Sequence, residues 1–303
     1  MRRLTGLVIL AFLLGVSATS ARQLTFRSGV DLTTFGVTVL DRKGNLVTDL
    51  DRDDFEVLED GKRQNVQFFA RGDGDTSPEL HLGLVLDTSG SMTDELKLAR
   101  SAAVRFLNLV PEAVDITLVD FDTQVRITRY PQRDFARMVE RIRMRKAEGL
   151  TALYDALGTY LDGAESQPGR KIMVMYTDGG DTRSALSFTE TVTLLKASQV
   201  TVYAIGLVER TGSARLEMQM KMRELAETTG GQAFFPMEMK NVEGAYEKVL
   251  AEIKGQYHLG YLSTNTSTNG AWRKVEVKTT RPDLKVRSRK GYFGPFKKEP
   301  PGH

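Results

Sequence analysis

Apolar positions follow three rhythms along this chain. From about Leu24 to Phe69 they alternate with polar ones, as in strands with one wet face. From His81 to Ile253, short continuous apolar runs alternate with stretches where apolar residues return every three or four positions. From Tyr257 the alternation resumes, with Val275 and Val277 facing one way and Glu276 and Lys278 the other. A continuous run such as Leu82-Gly83-Leu84-Val85-Leu86 reads as a strand buried on both faces. Similar strands are predicted at Val114–Phe121, Lys171–Thr177 and Val200–Leu207, with a last short one at Gln232–Pro236 and a short edge strand at Val125–Tyr130. The helical period predicts helices at Thr93–Val110, Phe135–Met144, Thr151–Ala164, Leu186–Ala197, Ala214–Thr229 and Val242–Ile253. The fifth carries Met218, Met220 and Met222, read as one Met-rich face packed on the core.

Strands alternating with helices predict an α/β fold, a doubly wound, mostly parallel sheet with helices on both faces. The flanks predict antiparallel β structure. Phe35–Leu40 is one strand, and Phe55–Glu59 and Asn65–Phe69 flank the hairpin-type turn Asp60-Gly61. Tyr257–Leu262, Trp272–Thr279 and Leu284–Arg289 follow at the other end. Each flank is too small to bury a core of its own. The expectation is that the two pair into one β-sandwich with the α/β unit inserted between them. This divides the chain into residues 1–21, 22–75, 76–256, 257–296 and a tail, 297–303.

Composition changes this picture little. The chain has 303 residues, is 41% hydrophobic and 27% charged, and carries a formal charge of +3. These are values of an ordinary globular protein and give no electrostatic case for nucleic acid. Met1 to Ala21 reads as a secretory signal: Arg2 and Arg3, the apolar stretch Leu7–Val16, then small residues through Ala21. With no Cys, a lipoprotein anchor and disulfides are both excluded. An exported protein, periplasmic or secreted, without stable membrane insertion after cleavage is expected. Arg71-Gly72-Asp73 falls in a Gly/Asp linker and is read as coincidence. The acidic run Asp49, Asp51, Asp53 and Asp54 lacks the Gly and distal Glu of an EF-hand and reads as a solvated turn.

The chemistry gathers where the first buried strand stops. Asp87, Ser89 and Ser91 place three oxygen side chains at alternate positions on one turn, with Gly90 letting the backbone bend. Turn and cap chemistry alone would also use Asp and Ser there. Two later positions weigh against that alone: Thr151 opens a helix, and Asp178 closes another buried strand. Oxygen ligands without Cys or His suit Mg²⁺, Mn²⁺ or Ca²⁺ rather than zinc. The set D-x-S-x-S, then Thr, then Asp resembles the von Willebrand factor A domain and its metal-ion-dependent adhesion site. Leu50–Phe55 and Leu58–Gly61 resemble the lead-in of secreted bacterial proteins related to that family, those of acidobacteria in particular.

The resemblance implies that the strands ending in Asp87 and Asp178 are neighbours. It also implies that Ser89, Ser91 and Thr151 coordinate the ion, and that Asp87 and Asp178 hold it partly through water. An open position is then left for a carboxylate from a protein partner, so the chain reads as an adhesion module and not an enzyme. Two other readings stay open on the residues alone. One is a hydrolase in which the ion activates water and Ser89 attacks. None of His81, His258 or His303 is placed as its base, and Asp155 and Asp181 read as helix-start and loop carboxylates. The other is a scaffold that has kept the motif without using a metal.

Overall fold

The computed structural model describes residues 32–72, 74, 76–110, 112–206, 213–238 and 241–297. The stretch read as a secretory signal, Asp73, Leu207 and the tail from residue 298 lie outside the described residues. In chain order the strands are β1 (Thr33–Leu40), β2 (Phe55–Glu59), β3 (Lys62–Gln64), β4 (Val66–Arg71) and β5 (Leu80–Asp87). Next come α1 (Leu96–Asn108), β6 (Ala113–Phe121), β7 (Val125–Pro131), α2 (Phe135–Met144), α3 (Leu153–Glu165), β8 (Arg170–Thr177), α4 (Phe188–Ala197) and β9 (Val200–Gly206). The rest are α5 (Ser213–Thr228), β10 (Ala233–Phe234), α6 (Val242–Gly255), β11 (Tyr257–Tyr261), β12 (Trp272–Thr279), β13 (Lys285–Ser288) and β14 (Gly291–Phe293).

The central sheet has the order β10-β9-β8-β5-β6-β7. All neighbours are parallel except β7, which runs antiparallel to β6 as an edge strand. The chain winds outward from β5 to β6 and β7, then returns to β8 on the other side of β5. The winding therefore reverses between β5 and β8, and ligands of such sheets bind beyond the carboxyl ends of the strands at that point. Leu86 of β5 pairs with Tyr176 of β8, so the residues that follow these two close their strands side by side.

β5 is buried along its whole length. Leu82, Leu84 and Leu86 face a core shared with α1, α2 and α6. Val85 faces a second core with Leu157 and Tyr160 of α3, Leu195 of α4 and Leu225 of α5. Gly83 lies on this second side because Tyr160 covers it: a Cβ there would stand 2.3 Å from the ring. The helix starts later than the period predicts. A 3-10 turn, Gly90–Met92, precedes α1. The Met-rich face is also corrected. Residues two apart on a helix point nearly opposite ways, so Met222 is buried at 2% exposure while Met220 is 69% exposed.

The flanks interleave. One sheet is β13-β1-β11-β4 and the other β14-β12-β2-β3, so β1, β2 and β12 each pair with strands from the other end of the chain. Val37, Val39, Phe55, Val57, Tyr257, Leu259 and Val275 share one core between the sheets. The α/β unit leaves from β4 and returns into β11, and these are antiparallel neighbours with Arg71 opposite Tyr257. Asp60 (φ 47°) and Gly61 (φ 78°) form the tight turn after β2. The second arm of that hairpin is Lys62–Gln64 and not the expected Asn65–Phe69. β3 ends at Gln64, whose buried amide carbonyl accepts from Thr264 N at 3.1 Å. The chain then crosses to the other sheet, where β4 pairs with β11. Arg289 ties the sandwich to the α/β unit by donating to Lys196 O and Ser198 O at the end of α4, where the helix dipole favours a cation. Among the described residues no helix is long and apolar enough to cross a membrane.

Candidate functional site

Asp87 is the last residue of β5 and is fully buried. Its Oδ1 accepts from Ser89 N at 2.9 Å and from Ser89 Oγ at 2.6 Å. Its Oδ2 accepts from the hydroxyl of Thr177, the last residue of β8, at 2.6 Å. Ser89 Oγ stands 3.1 Å from Ser91 Oγ. The intervening Thr88 turns away, with N and Oγ1 both donating to Phe121 O at 2.8 and 2.9 Å. Alternate residues of this loop thus face one point while the residue between them is fixed to β6.

Two further loops close around this one. Gly90 N donates to Gly149 O at 3.0 Å, and Glu148 N to Thr88 O at 2.9 Å. Gly149 has φ 74°, and a Cβ on it would lie 2.4 Å from Thr123 Oγ1, so only glycine fits this approach. Thr151 is joined through its backbone. Its N donates to Thr182 Oγ1 at 3.0 Å, and its O accepts from Thr182 N and Arg183 N. Residue 151 is thereby tied to the loop that begins at Asp178. In that loop Gly180 N donates to Asp178 Oδ1 at 3.1 Å and Gly179 N to Thr177 Oγ1 at 3.0 Å.

Asp87, Ser89 and Ser91 are in direct contact, Asp178 acts on Asp87 through its charge, and Thr151 joins through its loop. Exposure is graded: Asp87, Ser89 and Thr151 are buried, Asp178 is half-buried and Ser91 is exposed. The crevice therefore opens to solvent on the side of Ser91 and Asp178. Burial pushes the Asp87 carboxyl up to about 6, against the opposing hydrogen bonds from Ser89 and Thr177, and the charge of Asp178 pushes the same way. A carboxylate held out of water beside another is the setting that a cation relieves. The donors are all oxygen, which fits a hard divalent ion.

Thr177 was not among the expected site residues, yet it binds Asp87 from 90 positions away. The available signal was the hydroxyl directly before Asp178; Thr177 is the last residue of β8, and Asp178, expected to close that strand, opens the loop. Asp155 and Asp181 are structural, as read. Asp181 accepts from Tyr154 N in the first turn of α3 and from Ser184 Oγ, and Asp155 accepts from Ala185 N and Leu186 N. His81 lies at the start of β5, the end away from Asp87, with Nδ1 3.1 Å from Asp115 Oδ1. His258 is buried in β11, where burial and then Arg170 push it down to about 3. Neither supplies a base to Ser89.

Residues 81–249 match the family model of the von Willebrand factor type A domain, and the chain belongs to that family. No curated protein matches it in sequence. Its fold is similar to the vWF domain of the type V pili tip protein Mfa5 from Porphyromonas gingivalis, with 14% identity and a TM-score of 0.51 over 59% of this chain and 96% of that one. It is also similar to the pilus adhesin SpaC from Lactobacillus rhamnosus GG in its open conformation, at 10% identity and a TM-score of 0.50, over 80% of this chain and 48% of that one. For the PilB minor pilin from Streptococcus sanguinis the values are 15% and 0.48, over 60% of this chain and 63% of the pilin. At these identities the likeness is one of fold.

Proposed function

We propose that this is an exported protein-binding module that holds its partner through a divalent cation, Mg²⁺ by preference. Asp87, Ser89, Ser91, Thr151 and Asp178 would hold the ion. The observation that carries the reading is the contact chain Thr177–Asp87–Ser89–Ser91, an oxygen-only set at the sheet's switch point, open to solvent at one end. Asp87 orients the Ser89 hydroxyl, Thr177 fixes the second oxygen of Asp87, and the loop of Gly90 and Gly149 sets the spacing to Thr151. The three hydroxyls are neutral, and with the two carboxylates holding the ion partly through water its open position would keep a positive face, suited to a carboxylate from the partner. Small hard ions favour such oxygen sites.

Calorimetric titration of the full chain with Mg²⁺ tests this. One site is expected, lost in Asp87→Ala while the circular dichroism spectrum is kept; undiminished binding in that variant overturns the assignment. The hydrogen bond from Ser89 Oγ to Asp87 is also the geometry a hydrolase would use, with Asp87 as base. No turnover of peptide, ester or phosphate substrates is expected, and an activity that disappears in Ser89→Ala would select that second reading.

A further inference from the structure

The charge of this chain is unevenly placed. Residues 126–146 hold eight Arg and Lys against two acids, a net +6 in a chain whose total is +3. Everything outside this stretch therefore sums to −3. The stretch is β7, the free edge of the central sheet, followed by α2. Because β7 runs antiparallel to β6, it descends from the crevice end and α2 climbs back toward it. Arg137 and Arg141 lie one turn apart on α2, with Arg133 in the short turn before it and Arg145 directly after it.

Part of this charge is structural. The buried carboxylate of Asp120 receives Arg126 at 2.9 Å, Arg141 at 2.8 Å and Arg145 at 2.7 Å, and Arg126 also contacts Asp122. Two carboxylates therefore answer three guanidinium groups. The remainder faces solvent. Arg133 and Lys146 are exposed and have no acidic partner among the described residues. Arg137 and Arg143 are 80% and 62% exposed in loose or surface pairs, which contribute little.

The stripe reaches the crevice. Arg100 of α1 clamps the carbonyls of Arg143 and Arg145. Two residues beyond Lys146, Glu148 N is bonded to Thr88 O in the Asp87–Ser91 loop. Met144 and Leu150, 78% and 51% exposed, add apolar surface on this rim. Elsewhere on the rim the charges are mixed, with Asp94, Asp155 and Asp181 around the starts of α1 and α3 and the exposed Arg183 beside Thr151.

We infer that the α2–β7 stripe is the docking surface for an acidic polypeptide segment, laid along α2 so that one of its carboxylates enters the crevice. The inference deepens the proposed function and rests on it for that last contact. A carboxylate-bearing partner is drawn most strongly to the side where basic charge is in excess, so the field biases its side of approach as well as its affinity. Exposed pairs act over about a Debye length, near 8 Å in physiological salt, so binding depends strongly on salt.

The test uses a fluorescein-labelled ten-residue oligo-aspartate and fluorescence anisotropy with the full chain. A variant carrying Arg133→Gln, Arg137→Gln, Arg143→Gln and Lys146→Gln spares the arginines that hold Asp120. In Mg²⁺ it is expected to bind the peptide at least tenfold more weakly than the wild type, with a shallower dependence of log Kd on log salt. Its calorimetric Mg²⁺ titration is expected to be unchanged. Equal peptide affinity and equal salt slope in the two proteins overturn the inference. Tighter wild-type binding of a sulfated polysaccharide or an oligonucleotide of equal charge overturns the assignment to a polypeptide. If the wild type takes up no Mg²⁺ yet the variant still loses the peptide, the stripe stands and the metal reading falls.

Discussion

Replacing Asp87 by Asn removes a buried charge while leaving an atom near each carboxylate oxygen. Burial raises this carboxyl from 3.8 to about 6. At about 1.4 kcal/mol per unit, the ionised side chain costs the metal-free fold about 3 kcal/mol at neutral pH. The sign follows from where the proton binds. The folded chain holds it more tightly than the unfolded chain, so the stability is fully present below pH 3.8 and is lost as pH rises through about 6. Asn has no such cost, but its amide must face Thr177, whose hydroxyl now donates to Asp87 and would have to accept. That mismatch costs about 1 kcal/mol. In EDTA, Asp87→Asn is therefore expected to stabilise the protein by about 2 kcal/mol at pH 7.5 and to destabilise it by about 1 kcal/mol at pH 3. Urea denaturation followed by tryptophan fluorescence and circular dichroism at both pH values measures this. A change of the same sign and size at both would refute the reasoning, because it would mean that the charge of Asp87 does not govern its cost.

Two further outcomes follow from packing. Gly83→Ala is expected to destabilise by about 2 kcal/mol, since its Cβ would meet the Tyr160 ring at 2.3 Å; in Gly83→Ala/Tyr160→Leu the combined loss should be smaller than the sum of the single losses, which a double-mutant cycle checks. Residues 22–75 expressed alone are expected to stay unfolded by circular dichroism, because β1 and β2 find their sheet partners beyond residue 257, and a cooperative melt of that segment would contradict the interleaving.

The central sheet was legible because β5, β8 and β9 carry nearly continuous apolar runs, which suit strands buried on both faces. Asp87, Ser89 and Ser91 were legible for a local reason: three oxygens at alternate positions after such a run can only lie on its closing turn. Thr177 was not, because its meaning comes from a partner 90 residues distant. The crossing from β3 to β4 was missed for a similar reason. Alternation reports which way side chains point, and Lys62 to Arg71 keep an extended conformation through the change of sheet. The basic character of α2 was visible in the sequence, but the end of the molecule it reaches was not. That depends on β7 reversing direction beside β6.

The junction between the two units has a mechanical consequence. The α/β unit is attached by two strands that leave the sandwich at the same end, β4 and β11. A pull on the crevice therefore draws both strands along their length together and does not peel one from the other. Their shared ladder carries little of the tension. On β4 the load passes along the chain to β3 and its pairing with β2, and on β11 to the five register pairs with β1, from Thr33 opposite Tyr261 to Val37 opposite Tyr257. These bonds lie across the pull and are strained at once, as in shear, so the grip of the sandwich on β3 and β11 sets the force at which the crevice is torn from its base.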